Sequence, residues 1–210
     1  MTNPIEQAIF HIASALETPV LIAALTALAV VVVEIGAFAV ELWSRRSLRA
    51  AVLTDCAAHA RDALRRRDGG AAAAAVAPLA RSAAMVTALT DIVEASGHPH
   101  SEARVNKALA DFDLHSEGAL ARTRLLVRVG PALGLMGTLI PLSPALEGLA
   151  RGRITQLTDN LRIAFSVTVL GLLIGAAAFA LTLYRDRFYG QDYSDLEYVA
   201  AVLTGQDEAP

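Results

Sequence analysis

The chain reads as an all-α integral membrane protein with three transmembrane helices and long cytoplasmic helical extensions. Three observations predict this. The 210 residues are 54% hydrophobic with a mean hydropathy of +0.45, and the apolar residues fall in long runs, unlike the scattered pattern of a soluble domain. Three of those runs reach the roughly 20 residues a helix needs to cross a bilayer: Val20–Trp43, Val129–Leu149 and Ile163–Tyr184. No alternating strand pattern accompanies them.

The segments follow in order as an outer amphipathic helix (residues 1–18), a first span (19–43), a cytoplasmic helical region (44–128), a second span (129–149), a third span (163–184) and an acidic tail (185–210). In the first segment Ile5, Ile9, Ile12 and Leu16 share one helical face, and Pro4 suits a first turn. The apolar run begins late and no basic stretch precedes it, so span one is expected to be retained as an anchor. It is expected to run on as a helix to Arg67, where Asp68-Gly69-Gly70 stops it. Ala71–Pro78 reads as a low-complexity connector, and a second helix is expected over Leu79–Ala95. Ser96–His100 is a turn. Ser101 and Glu102 start a long charged helix that passes through Arg128 into span two, and after span three Asp192–Thr204 reads as a short acidic helix.

Charge sets the expected orientation. Residues 44–128 hold thirteen Lys or Arg, including Arg45, Arg46, Arg49, Arg122, Arg124 and Arg128 at the span ends, and Arg185 and Arg187 follow span three. The first nineteen residues have none, and the link between spans two and three has only Arg151, Arg153 and Arg162. The positive-inside rule therefore puts the N-terminus outside, and the middle region and C-terminus in the cytoplasm.

Spans two and three each carry a seam of small residues. Gly130, Gly134, Gly137, Pro141, Pro144 and Gly148 recur at spacings of 4, 3, 4, 3 and 4, and Ala164, Thr168, Gly171, Gly175, Ala178 and Thr182 repeat the same rhythm. Such spacing places all six on one helical face. Lipid offers no hydrophobic force between helices, so small faces mark where backbones approach closely. Pro141 and Pro144 also free carbonyls four residues earlier, which is tolerated where protein or a wet cavity satisfies them.

Chemistry is sparse. There is no phosphate-cradling glycine loop and no nucleophilic triad, so an enzyme is not expected. His98 and His100 flank a proline without a carboxylate or thiol cluster and read as a surface loop. Cys56 is the single cysteine, so no disulfide or metal framework is possible from it alone. No nucleic-acid partner and no cofactor are expected.

Thr138 lies beside the span-two seam and Thr168 on the span-three seam. Threonine hydroxyls often bond a carbonyl one turn back and only aid packing; on facing seams they also suit the lining of an ion path. Spans two and three hold no ionisable residue at depth, and Glu147 lies near an end. Glu34 is a possible intramembrane charge, costly at about 3 kcal/mol near a helix centre, and Glu41 lies on roughly the same face. For Glu34, pairing with Arg45 or Arg46 competes with a functional role.

These residues resemble the MotA/TolQ/ExbB proton channel family. The likeness rests on Gly130-Pro-Ala-Leu-Gly-Leu-Met-Gly-Thr-Leu139 in span two, on Ala164-Phe-Ser-Val-Thr-Val-Leu-Gly-Leu-Leu173 in span three, and on Glu41-Leu-Trp-Ser-Arg-Arg46 at the end of span one. Three spans and a large loop after the first resemble the TolQ and ExbB branch. The resemblance implies a pentameric ring of this chain around a dimer of a small single-span partner that supplies an essential aspartate, with Thr138 and Thr168 on the path of H⁺ or Na⁺. Ion flow would then drive mechanical work in the cytoplasmic (inner) membrane. Several members carry a glutamate five residues before the second threonine; this chain has Ile163 there. A membrane scaffold that conducts nothing is the competing reading.

Overall fold

The computed structural model describes residues 4–44, 50–96, 98 and 101–205. Arg45, Arg46, Arg49, Pro99 and His100 lie outside the described residues. The described residues are almost entirely helical, and no strand occurs among them. The helices are α1 (Pro4–Ala15), α2 (Glu17–Ser44), α3 (Ala50–Arg65), α4 (Gly69–Val76), α5 (Ala83–Ser96), α6 (Ser101–Ala150) and α7 (Ile154–Thr204). Three stretches are long and apolar enough to cross a membrane: Gln7–Trp43, Ser101–Ala150 and Leu157–Thr204. The first spans α1 and α2, which are parted only at Leu16. Backbone bonds from Leu16 N–H to the Ile12 carbonyl and from Val20 N–H to the Leu16 carbonyl bridge that point.

Several local expectations are corrected. Ala71–Pro78 is not a connector: most of it is helix α4, and Gly69-Gly70 open that helix. The Asp68 carboxylate accepts the Ala71 N–H at 2.9 Å, so a residue that reads as part of a stop is an N-cap. Pro78 sits in a short 3₁₀ turn, Ala77–Leu79, and α5 starts only at Ala83, where the Ser82 hydroxyl accepts the Met85 N–H. The acidic stretch Asp192–Thr204 is no separate helix. It is the end of the 51-residue α7, because nothing between Tyr184 and Thr204 breaks the backbone ladder.

The chain divides into two compact units. The first comprises Met1–Phe38 and Ala121–Leu183. Its core is a three-helix contact in which Val20, Ala24, Ala27 and Val31 of α2 join Leu126 and Leu133 of α6 and Val167, Ile174 and Ala178 of α7. Alanine and valine dominate because close backbone approach leaves little room for longer side chains. The turn from α6 to α7 needs Gly152, whose φ of 71° is left-handed. It lets the Arg153 N–H reach the Gly148 carbonyl at 2.8 Å and end α6.

The second unit comprises Ala39–Leu120 and Tyr184–Pro210. Its core is larger and aliphatic. Leu79, Met85, Leu89 and Ile92 pack with Phe112 of α6 and with Leu196, Val199 and Leu203 of α7, while Ala57, Ala60 and Ala63 bring α3 close. A fully buried Leu or Ile contributes about 1.5–3 kcal/mol, so this unit has a hydrophobic core of the soluble kind. Arg81 pins α7 to it. The guanidinium donates to Asp192 at 2.7 Å and to Asp195 at 2.6 Å, with Asp192 fully buried. Burial works against the charge on Arg81, yet the bonds and charges of the two aspartates outweigh it and hold its pKa above the ordinary arginine value.

Candidate functional site

The small-residue seams of α6 and α7 face each other within one chain. A methyl group added at Gly171 would stand 2.5 Å from the Gly130 carbonyl oxygen and 2.7 Å from Gly134 Cα. One added at Gly130 would stand 2.8 Å from both the Gly171 oxygen and the Gly175 nitrogen. Both positions are therefore closed to any side chain by backbone on the opposite helix. At Gly137 the obstacle is the Val167 side chain, at 2.3 Å, and at Gly175 it is the Pro131 ring, at 2.9 Å. Gly134 is looser, with Thr168 Cα at 3.3 Å.

Pro131 belongs to this contact although the seam pattern omits it. It leaves the Val127 carbonyl without its helical donor, and that oxygen lies 3.5 Å from the position a methyl on Gly175 would take. Further along α6, Pro141 is buried and Pro144 half-buried, as is expected of ring-closed residues on the covered side of the helix.

The two threonines hold different positions. Thr168 is half-buried, and its hydroxyl lies 3.1 Å from the Gly134 carbonyl across the helix pair and 3.3 Å from the Ala164 carbonyl on its own helix. With a single proton to donate, it bridges the crossing or closes its own turn. Thr138 is half-buried one turn beyond Gly134, and its hydroxyl donates to the Leu135 carbonyl at 2.8 Å within α6. The structure therefore brings Thr168 onto Gly134, and keeps Thr138 bonded to its own helix. Each hydroxyl oxygen retains acceptor capacity.

Glu34 is half-buried in α2. Glu41 pairs with Arg185, at 3.7 Å between Glu41 Oε2 and Arg185 Nε, with the arginine 8% exposed. Arg185, in the sequence a basic residue just past span three, is in the structure a buried partner of α2. Glu147 pairs with Arg151 one turn on, at the exposed end of α6. No group of His, Cys, Asp or Glu able to hold a metal ion occurs among the described residues.

Sequence reasoning missed Thr123, which is fully buried on α6. The signal was present. Thr123, Val127 and Gly130 extend the seam backward at spacings of 4 and 3, but the window for span two opened at Val129.

Residues 77–188, just over half of the chain and including both seams, match the MotA/TolQ/ExbB proton channel family. The chain belongs to that family. Searches of curated proteins and of solved structures each returned no match. As a MotA/TolQ/ExbB protein it is a membrane protein of the ion-channel type that serves motor complexes. The family match starts at the 3₁₀ turn that precedes α5 and ends just past Arg185. It therefore covers the glycine contact, both threonines and Arg81.

Proposed function

We propose that this chain is the ring subunit of a motor or stator complex driven by the ion motive force, and that it belongs to the TolQ/ExbB branch. Five copies would surround a dimer of a small single-span partner, and Thr138 and Thr168 would line the ion path. The observation that carries this reading is a pair of facing small-residue seams that hold two threonines and no carboxylate at depth. A path with hydroxyls but no titratable group needs an acid from elsewhere, and a partner aspartate supplies one. The translocated ion is H⁺ or Na⁺, and no other cofactor is called for.

In this reading the first span, α2, anchors the chain in the cytoplasmic membrane, with the N-terminus outside. The unit built from α3, α4, α5 and the two ends of α6 and α7 is cytoplasmic. The seven-residue interval from Glu34 to Glu41 sets both carboxylates toward the cytoplasmic end of α2, where Glu41 meets Arg185. Membrane lipid and neighbouring copies cover the apolar faces that α6 and α7 leave exposed, such as Leu135, Leu139, Val169 and Leu172.

The test is the native mass of the complex purified in mild detergent, with the candidate partner co-expressed. Five copies with two of a single-span, aspartate-bearing protein is the expected result. A monomer or dimer that persists with the partner present would overturn it and favour the scaffold that conducts nothing.

A further inference from the structure

We propose that the second unit carries a binding site for a phosphoester ligand of nucleotide size, in the cavity between the α3–α4 turn, α5 and the start of α6. The cavity measures about 920 Å³, within the range of small-molecule sites. Three permanent cations line it: Arg65 and Arg67 from the α3–α4 turn and Arg104 from α6. His98 adds a fourth nitrogen base, and Glu94 is the one carboxylate among the lining residues. Leu64, Ala73 and Val93 supply an apolar wall. Guanidinium groups present planar forks that match phosphate oxygens, so the lining suits an anionic group attached to an organic body.

Two backbone features face this cavity: the end of α3, which has a local explanation, and a glycine pair that has none. Arg67 has a φ of 61°, a left-handed conformation that glycine adopts freely and that costs other residues about 1 kcal/mol or more. That conformation ends α3: the Arg67 N–H reaches the Leu64 carbonyl at 2.9 Å and the Asp68 N–H the Ala63 carbonyl at 3.0 Å, so an arginine occupies the helix-end position that usually holds glycine, and it lines the cavity. Gly69 and Gly70 open α4 without left-handed φ values. A methyl on Gly69 would meet nothing within 4 Å, and one on Gly70 only the Asp68 carboxylate at 3.5 Å. Neither packing nor conformation calls for glycine there, and each costs about 1 kcal/mol in a helix. What the pair provides is bare backbone along the cavity wall, open to a ligand. Asp68 already caps the Ala71 N–H, so the arginines, not the helix end, would hold the anion.

The experiment uses the full chain in phosphatidylcholine nanodiscs and measures binding of ATP and of pyrophosphate by calorimetry. Arg67→Gly removes a charge while relieving the left-handed strain, so it retains the fold. Arg104→Gln removes a second charge from an exposed helical position. Saturable binding that each substitution weakens by about tenfold supports the site. Replacing a third of the lipid with phosphatidylglycerol distinguishes the sources. An ATP affinity that falls in those discs, and falls less in the double variant, identifies a lipid headgroup as the phosphoester. Binding indifferent to both substitutions, or none below about 10 mM in either disc, would overturn the proposal.

Discussion

The Thr168 hydroxyl stands 3.1 Å from the Gly134 carbonyl, joining α7 to α6 within their glycine contact. The same oxygen is proposed to lie on an ion path, so its packing role and its transport role need separating. Interhelical hydrogen bonds in membranes contribute on average about 0.6 kcal/mol. Thr168→Val keeps the shape and is expected to lower the thermal stability of the purified protein only slightly. It is expected to abolish ion-driven work, while Thr168→Ser retains most of it. Function that survives Thr168→Val would leave the threonine with packing alone.

The contact at Gly130, Gly134 and Gly171 predicts a graded series. Gly171→Ala and Gly130→Ala force methyl groups against backbone and are expected to cost about 1–3 kcal/mol, read as lowered resistance to unfolding in detergent. Gly134→Ala, with its nearest neighbour at 3.3 Å, is expected to cost less than either. Gly36→Ala, where nothing lies within 4 Å, is the control and should gain about 0.5–1 kcal/mol from helix propensity. Equal effects at all four positions would contradict the seam packing.

Arg81 spans two aspartates that lie 111 and 114 positions along the chain. Arg81→Lys cannot reach both with a planar fork, and is expected to cost about 2 kcal/mol. Arg81→Ala, which deprives the buried Asp192 of this arginine, is expected to cost about 3–5 kcal/mol. Hydrogen exchange of the amides from 192 to 204 checks both, since loss of the clamp should raise exchange there first.

Cys56 offers a chemical probe of the second unit. Burial and the neighbouring Asp55 charge both push its thiol above the usual value. The thiolate is the nucleophile, so a raised pKa lowers its share at any given pH. Alkylation by iodoacetamide at pH 8 is expected to be slower in the folded protein than in the unfolded chain. Equal rates would show the thiol to be unshielded.

The three spans and both seams were legible because each rests on a local period: run length for the spans, and spacings of 3 and 4 for the seams. That the seams meet each other within one chain was not legible, since a small face does not name its partner. Helix α4 was missed for a different reason. Gly69-Gly70 reads as a stop, and only the Asp68 carboxylate on the Ala71 N–H turns it into a start. The continuity of α7 through Tyr184 was obscured by the change from apolar to charged residues, which alters the surroundings of a helix without breaking its hydrogen bonds. The bonds from Arg81 to Asp192 and Asp195 join positions too distant for any periodicity to connect.

The glycine contact also sorts the genetics of the two helices. At Gly137 the neighbour is the Val167 side chain, so an alanine there can be rescued by shortening Val167. At Gly171 the neighbours are backbone atoms of residues that already have no side chain, and at Gly130 two such backbone atoms stand at 2.8 Å beside the Ile174 side chain. No substitution on the facing helix removes that backbone. Selection for suppressors of Gly130→Ala or Gly171→Ala should therefore return true revertants at those codons and no compensating change on the facing helix.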